Sequence, residues 1–165
     1  SKRESFNIAL ELRKLTNKFN ATLIINDDVD IAMAVNADGV HLGQDDFPVQ
    51  IARRVIGENK IIGLSTHSLK DAEAAQDSGA DYIAIGPIFK STTKDVRSPL
   101  GADIIRAVKK ISKLPVIAIG GINEENVGDV MQAGADGAAV ISAIIAKEDI
   151  TAAVKMFIRK IESRG

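Results

Sequence analysis

Nine consecutive residues, Lys90 to Ser98, hold four hydroxyl side chains (Ser91, Thr92, Thr93, Ser98), three cations (Lys90, Lys94, Arg97) and Asp95. Hydroxyls and cations at this density suit an anionic ligand. Lys94 would act as a point charge on a phosphate while the hydroxyls donate to its oxygens. A solvated loop has the same composition, and a mobile lid of this kind closes over ligands in other enzymes.

Other residues offer complementary chemistry. Asp27 in "INDD" and Asp46 in "GQDD" supply the hard oxygen ligands that Mg²⁺ takes together with waters and a phosphate. Helix capping is the competing reading, because Asp28 precedes "VDIAMAV" and Asp46 precedes "FPVQIARRV", with Pro48 near a helix start. Gly120-Gly121 follows an apolar run and exposes main-chain N–H groups, with a helix expected from Glu124 to aim its positive end at an anion. A tight left-handed turn that needs glycine for sterics explains the same pair. "AAVIS", closing at Ser142, adds a second set of amides. His41 reads as a satisfied histidine within a strand rather than as a base. His67 follows Ser65 closely, but no Gly-x-Ser-x-Gly elbow is present. A hydrolase triad is therefore rejected.

Parallel strands must position these groups. "TLIIND", "GVHLG", "KIIGLST", "DYIAIGPIF", "PVIAIGG" and "GAAVIS" are near-continuously apolar, as strands covered on both faces are. Helical patterns alternate with them at 3–19, 28–36, 48–56, 69–78, 101–111, 124–133 and 149–163, with Asn123 as the expected N-cap of the sixth. "NADGVHLG", "GADYIAIG" and "GADGAAVI" repeat one plan, a helix end, Ala-Asp and a strand, which fits a stack of equivalent units. Every candidate group then falls at the C-terminal end of a strand, where parallel α/β folds gather their chemistry. An open doubly wound sheet and a (β/α) barrel both fit. The Gly-x-Gly-x-x-Gly fingerprint is absent, which weakens the dinucleotide-binding form of the open sheet.

Composition narrows the classes. Hydrophobic residues make up 45% of the 165 residues and charged residues 26%, the mix of a globular domain with a real core. The net charge of −1, from 21 basic and 22 acidic residues without a basic block, does not suit a nucleic-acid binder. Without cysteine there is no thiol nucleophile or cysteine-held metal, and a reducing cytoplasm is the expected setting. No run reaches the length of a membrane span. Together these features point to a Mg²⁺-dependent enzyme acting on phosphorylated small molecules.

The ordered set "INDDVDIA", "ADGVHLGQDD", "GLSTHS", "GADYIAIGPIFKSTTK", "VIAIGGI" and "AAVISAI" resembles the thiamine-phosphate synthase family over essentially the whole chain. The resemblance implies a TIM (β/α)₈ barrel that joins hydroxymethylpyrimidine diphosphate to a thiazole phosphate, releasing pyrophosphate. By resemblance, Asn26 binds the pyrimidine diphosphate, Asp27 and Asp46 bind Mg²⁺, and Ser65 contacts the pyrimidine side. Ser91, Thr92 and Thr93 hold the thiazole phosphate, Lys94 the diphosphate, and Gly121, Ile141 and Ser142 complete the thiazole phosphate cradle. Ser65 and Lys94 are the residues assigned to catalysis.

Two departures stand out. Lys90-Ser91 replaces the family's Pro-Thr, a minor change because a hydroxyl is kept. The family also begins with two further βα segments bearing a Gln-x-Arg-x-Lys motif, so residues 1–165 are expected to form one N-terminally incomplete barrel domain lacking two strands. Taken alone, such a chain is expected to be inactive or weak. Two alternatives remain: a thiazole tautomerase of the same barrel, with His67 as its base, and a non-catalytic thiazole-phosphate-binding remnant. The sequence leaves the oligomeric state open, a homo-oligomer included.

Overall fold

Six apolar runs and the amphipathic segments between them become six parallel strands and the helices that connect them. The computed structural model describes residues 1–90 and 98–162. It falls into two compact units, Ser1–Ser65 with Asp77–Asp81, and Thr66–Gln76 with Tyr82 onward.

In the first unit, helix α1 (Lys2–Phe19) starts where Ser1 Oγ accepts the Glu4 N–H and stops at Asn20, whose left-handed φ of 51° ends the helical ladder. Strands β1 (Ile24–Asn26), β2 (Gly39–Leu42) and β3 (Ile61–Thr66) follow, separated by α2 (Val29–Ala34) and α3 (Val49–Ile56). The strands pair in parallel, with Asn26 opposite His41 and His41 opposite Gly63. Val40, Leu42, Ala52 and Ile62 are fully buried, so strand and helix share one core.

The second unit repeats the plan. Helix α4 (Leu69–Ala74), continued by a 3-10 turn at Ala75–Asp77, precedes β4 (Tyr82–Ile85). Then come α5 (Asp103–Ile111), β5 (Val116–Ile119), α6 (Val127–Gln132), β6 (Gly137–Ala139), α7 (Ser142–Ile145) and α8 (Ile150–Glu162). Strands β4, β5 and β6 pair in parallel, Ile83 with Val116 and Ile117 with Gly137.

The Ala-Asp repeat has a structural cause. Asp38 Oδ2 accepts the Leu23 N–H at 2.7 Å and Arg13 Nη1 at 2.8 Å. Asp81 Oδ2 does the same with the Ile62 N–H at 2.7 Å and Arg53 Nη2 at 2.6 Å. Asp136 Oδ2 accepts the Val116 N–H and Lys109 Nζ, each at 2.7 Å. In each case a carboxylate ahead of one strand satisfies an N–H at the start of the preceding strand and pairs with a cation from the helix before it. These aspartates staple the N-terminal ends of the strands, away from the chemistry expected at the other ends.

Two expectations are corrected. Asn123 does not cap α6, which begins at Val127 with Asn126 at its N-cap. Asn123 instead accepts the Glu125 N–H at 2.9 Å in a local turn. Ser142 does not close a strand: β6 ends at Ala139 and Ser142 opens α7, with the Ala146 N–H bonded to its carbonyl. The "AVIS" run, an alanine, two β-branched residues and a small hydroxyl, does not by itself distinguish a strand from a first helical turn.

Candidate active site

At the end of β1, Asn26 is exposed and Asp27 turns into the left-handed region at φ 65°. That conformation is uncommon outside glycine, with aspartate and asparagine the usual exceptions. Asp27 is held there by its N–H, which donates to the His41 carbonyl at 2.8 Å.

Neither nearby carboxylate behaves as a side-chain helix cap. Asp28 occupies the N-cap position of α2 without a side-chain cap bond, and its Oδ1 lies 3.5 Å from Lys2 Nζ. The N-cap of α3 is Pro48, and Asp46 folds back so that its Oδ2 accepts the Gly43 N–H at 2.7 Å. Asp46 Oδ1 has no protein partner among the described residues.

Ser65, near the end of β3, is gripped twice. His41 Nε2 lies 2.9 Å from Ser65 Oγ, and Gln44 Nε2 donates to the Ser65 carbonyl. His67 is engaged elsewhere, with its Nδ1 at 2.7 Å from the Gly86 carbonyl and its main-chain N–H on Asp71 Oδ2 at 2.9 Å. A carbonyl only accepts, so Nδ1 carries the proton and His67 does not pair with Ser65. This agrees with the rejection of a Ser65–His67 pair.

One short stretch therefore organises the first unit's candidate residues. His41 through its carbonyl holds Asp27, His41 and Gln44 hold Ser65, and Gly43 holds Asp46. The sequence singles out Asp27, Asp46 and Ser65 and reads His41 as a satisfied strand histidine, which its bond to Ser65 matches, but it does not point to Gln44. The signal was the unbroken "HLGQDD" run, yet the partner of each residue depends on the register of β1, β2 and β3.

In the second unit, Gly120 and Gly121 take φ values of 95° and 65°. A Cβ on Gly120 would meet Pro87 Cβ at 2.6 Å, and one on Gly121 would meet the Lys90 carbonyl oxygen at 2.5 Å. Steric need alone accounts for both glycines. Asn126 locks the turn, donating from Nδ2 to the Gly121 carbonyl at 3.0 Å and accepting the Asn123 N–H on Oδ1 at 2.8 Å. The helix expected from Glu124 starts three residues later and has only six residues, so its dipole does not lie against the diglycine as anticipated.

Ile141 is the exposed N-cap of α7, and Ser142 is the first residue of that helix. Lys147 Nζ bonds Glu124 Oε1 at 2.9 Å, tying the loop after β5 to the chain after α7. A hydrogen bond from its own main-chain N–H, then Lys147, holds the Glu124 carboxyl below the usual range.

Ser91, Thr92, Thr93 and Lys94 lie outside the described residues. Among the described residues, no cluster of three or more His, Cys, Asp or Glu side chains is arranged to hold a metal ion. A site built from two carboxylates, with other oxygens completed by waters and a diphosphate, is not of that kind. No helix among the described residues is long and apolar enough to cross a membrane.

The chain as a whole is similar to known proteins. A family model described as thiamine monophosphate synthase matches residues 1–144. The chain is 54% identical over 156 residues to a thiamine-phosphate synthase of Chloroflexus aurantiacus, covering 94% of this chain and 72% of that one. It is 46% identical over 156 residues to a thiamine-phosphate synthase of Clostridium novyi, covering 94% and 76%. Among solved structures, thiamine phosphate pyrophosphorylase from Pyrococcus furiosus superposes with a TM-score of 0.91 at 39% identity, over 99% of this chain and 79% of that one.

Proposed function

This enzyme chain belongs to the thiamine monophosphate synthase family, and on that premise we propose that it joins hydroxymethylpyrimidine diphosphate to a thiazole phosphate, giving thiamine phosphate and pyrophosphate. The architecture that goes with the reading is the eight-stranded (β/α) barrel of the family. The observation that carries it is the single stretch His41–Gln44, which holds Asp27, Asp46 and Ser65 through separate hydrogen bonds.

The pyrimidine C–O bond ionises, the electron pair leaves with pyrophosphate, and the thiazole nitrogen captures the resulting carbocation. Such a reaction asks the protein to neutralise a leaving group and to align two substrates rather than to move protons. Asn26 binds the pyrimidine diphosphate and Ser65 the pyrimidine side. Ser91, Thr92 and Thr93 bind the thiazole phosphate with Gly121, Ile141 and Ser142, while Lys94 binds the diphosphate.

Asp27 and Asp46 would hold Mg²⁺. The donor set fits a hard cation, since both are carboxylates and Asp46 keeps Oδ1 unpartnered. When bound, the ion supplies charge neutralisation for the departing pyrophosphate.

Incubating the enzyme at its full natural length with both substrates, with and without Mg²⁺, tests the reading. Thiamine phosphate and pyrophosphate in equal amounts, lost on chelation, are expected. Product formation that persists without divalent metal would remove Mg²⁺ from the proposal, and no product at all would sink it. Tautomerase activity is not carried forward, since the relatives carry the synthase name.

A further inference from the structure

The β2–β3 register gives His41 a task that the Proposed function does not assign. Residues 41 and 63 are cross-strand partners, so residue 65 lies one pleat further along the same face of β3. Gly63 has no side chain to come between them. The imidazole reaches past it and sets Nε2 at 2.9 Å from Ser65 Oγ, while Gln44 Nε2 donates to the Ser65 carbonyl.

A serine hydroxyl rotates about its C–O bond and carries one donor and two acceptor sites. Left to water, it presents a donor or an acceptor to a ligand at random. With Nε2 against it, one of those sites is used up and the remaining ones have a direction. His41 is also the residue whose carbonyl holds the Asp27 N–H at 2.8 Å, and its backbone is paired between β1 and β3. A side chain on so constrained a backbone orients its partner more sharply than one on a loop.

We propose that His41 is a positioning residue that acts through Ser65, orienting the serine hydroxyl toward the pyrimidine substrate. The inference rests on the synthase reading, in which Ser65 contacts that substrate. His41 itself touches neither substrate, so removing it should matter only while the Ser65 hydroxyl is present.

A double-mutant cycle tests this directly. His41→Ala, His41→Gln, Ser65→Ala and His41→Ala/Ser65→Ala are compared for kcat, KM for the pyrimidine diphosphate and thermal midpoint. His41→Ala is expected to lower kcat/KM about tenfold, the scale of one lost neutral hydrogen bond. Ser65→Ala costs more, and the double variant falls no further than Ser65→Ala alone. His41→Gln keeps a hydrogen-bonding group at similar reach and recovers most of the loss. Should His41→Ala not fold, His41→Leu, which removes the hydrogen-bonding ring nitrogen but keeps an apolar body in the strand, takes its place in the cycle. Losses that multiply, or a glutamine variant no better than alanine, overturn the proposal. The two readings fail separately. A wild-type enzyme that makes no thiamine phosphate sinks the synthase reading and this inference with it, whereas an active enzyme with multiplying losses sinks this inference alone.

Discussion

The Asp81 carboxylate accepts the main-chain N–H of Ile62 at 2.7 Å, ahead of the strand that Asp81 itself introduces. Ile62 is fully buried, so this N–H has no water to turn to. The same bond joins Asp38 to Leu23 and Asp136 to Val116. A repeat that looked like a signature of architecture is thus also a set of structural staples.

Asp81→Ala should strip the Ile62 N–H of its partner and remove the carboxylate that pairs with Arg53, which keeps its bonds to the Gly57, Lys60 and Gly79 carbonyls. A loss of about 2 kcal/mol in urea unfolding is expected, within the range for a stranded buried donor. Asp81→Asn keeps an acceptor for the N–H and should lose about half as much. Equal losses in the two variants would show that the ion pair, not the N–H, carries the effect.

Acid should weaken the staples at Asp38 and Asp136. The Leu23 N–H, with Arg13 and Lys60, holds the Asp38 carboxyl below its ordinary value of 3.8 against the opposing effect of burial. At Asp136 burial is the largest influence and raises the value, but Lys109 and the Val116 N–H together outweigh it. A depressed folded value means that the stability is present above the ordinary aspartate range and drains away as pH falls through the folded value. Unfolding midpoints should therefore stay level above about pH 5 and fall below about pH 4. In an Asp38→Asn/Asp136→Asn variant the acid limb should be shallower; an unchanged limb would assign the acid transition to other groups.

Asp27 is in the left-handed region at φ 65°, where asparagine is at least as comfortable as aspartate. If Asp27 holds Mg²⁺ as proposed, Asp27→Asn should leave the thermal midpoint within about 2 °C of wild type while lowering turnover in the presence of Mg²⁺ roughly a hundredfold or more. Asparagine keeps the backbone and the Asp27-to-His41 bond but removes the charge. A parallel fall in midpoint and turnover would mean that Asp27 is structural.

Gly121→Ala sets a Cβ 2.5 Å from the Lys90 carbonyl oxygen on a backbone at φ 65°. Strain and clash together should cost about 2–4 kcal/mol, or a midpoint lower by roughly 5–15 °C for a chain of this size. An alanine variant as stable as wild type would show that the turn relaxes easily, and the diglycine would need another explanation.

Much of the architecture was legible in the sequence. All six apolar runs are strands, because parallel strands covered by helices leave an unmistakable continuous apolar signature. All seven expected helices exist, and among the described residues the four-residue α7 is the one α-helix not expected, too short for any periodicity to show. The site was legible as a set of residue types, Asp27, Asp46 and Ser65 at strand ends, but not as a set of contacts.

Amino-acid order by itself determined which segments are apolar, which turns require glycine, and which side chains have the chemistry to meet a metal and a phosphate. It left open which histidine meets Ser65. His67 is two residues away along the chain and bonds Gly86 instead, while His41, twenty-four residues away, holds the hydroxyl. Strand β3 ends at Thr66, so His67 has already left the pleat that carries Ser65, and the partner of Ser65 is set by the register of the neighbouring strand. That register emerges only when the core packs, and with it the difference between a carboxylate that staples the start of a strand and one left exposed beyond a strand's end.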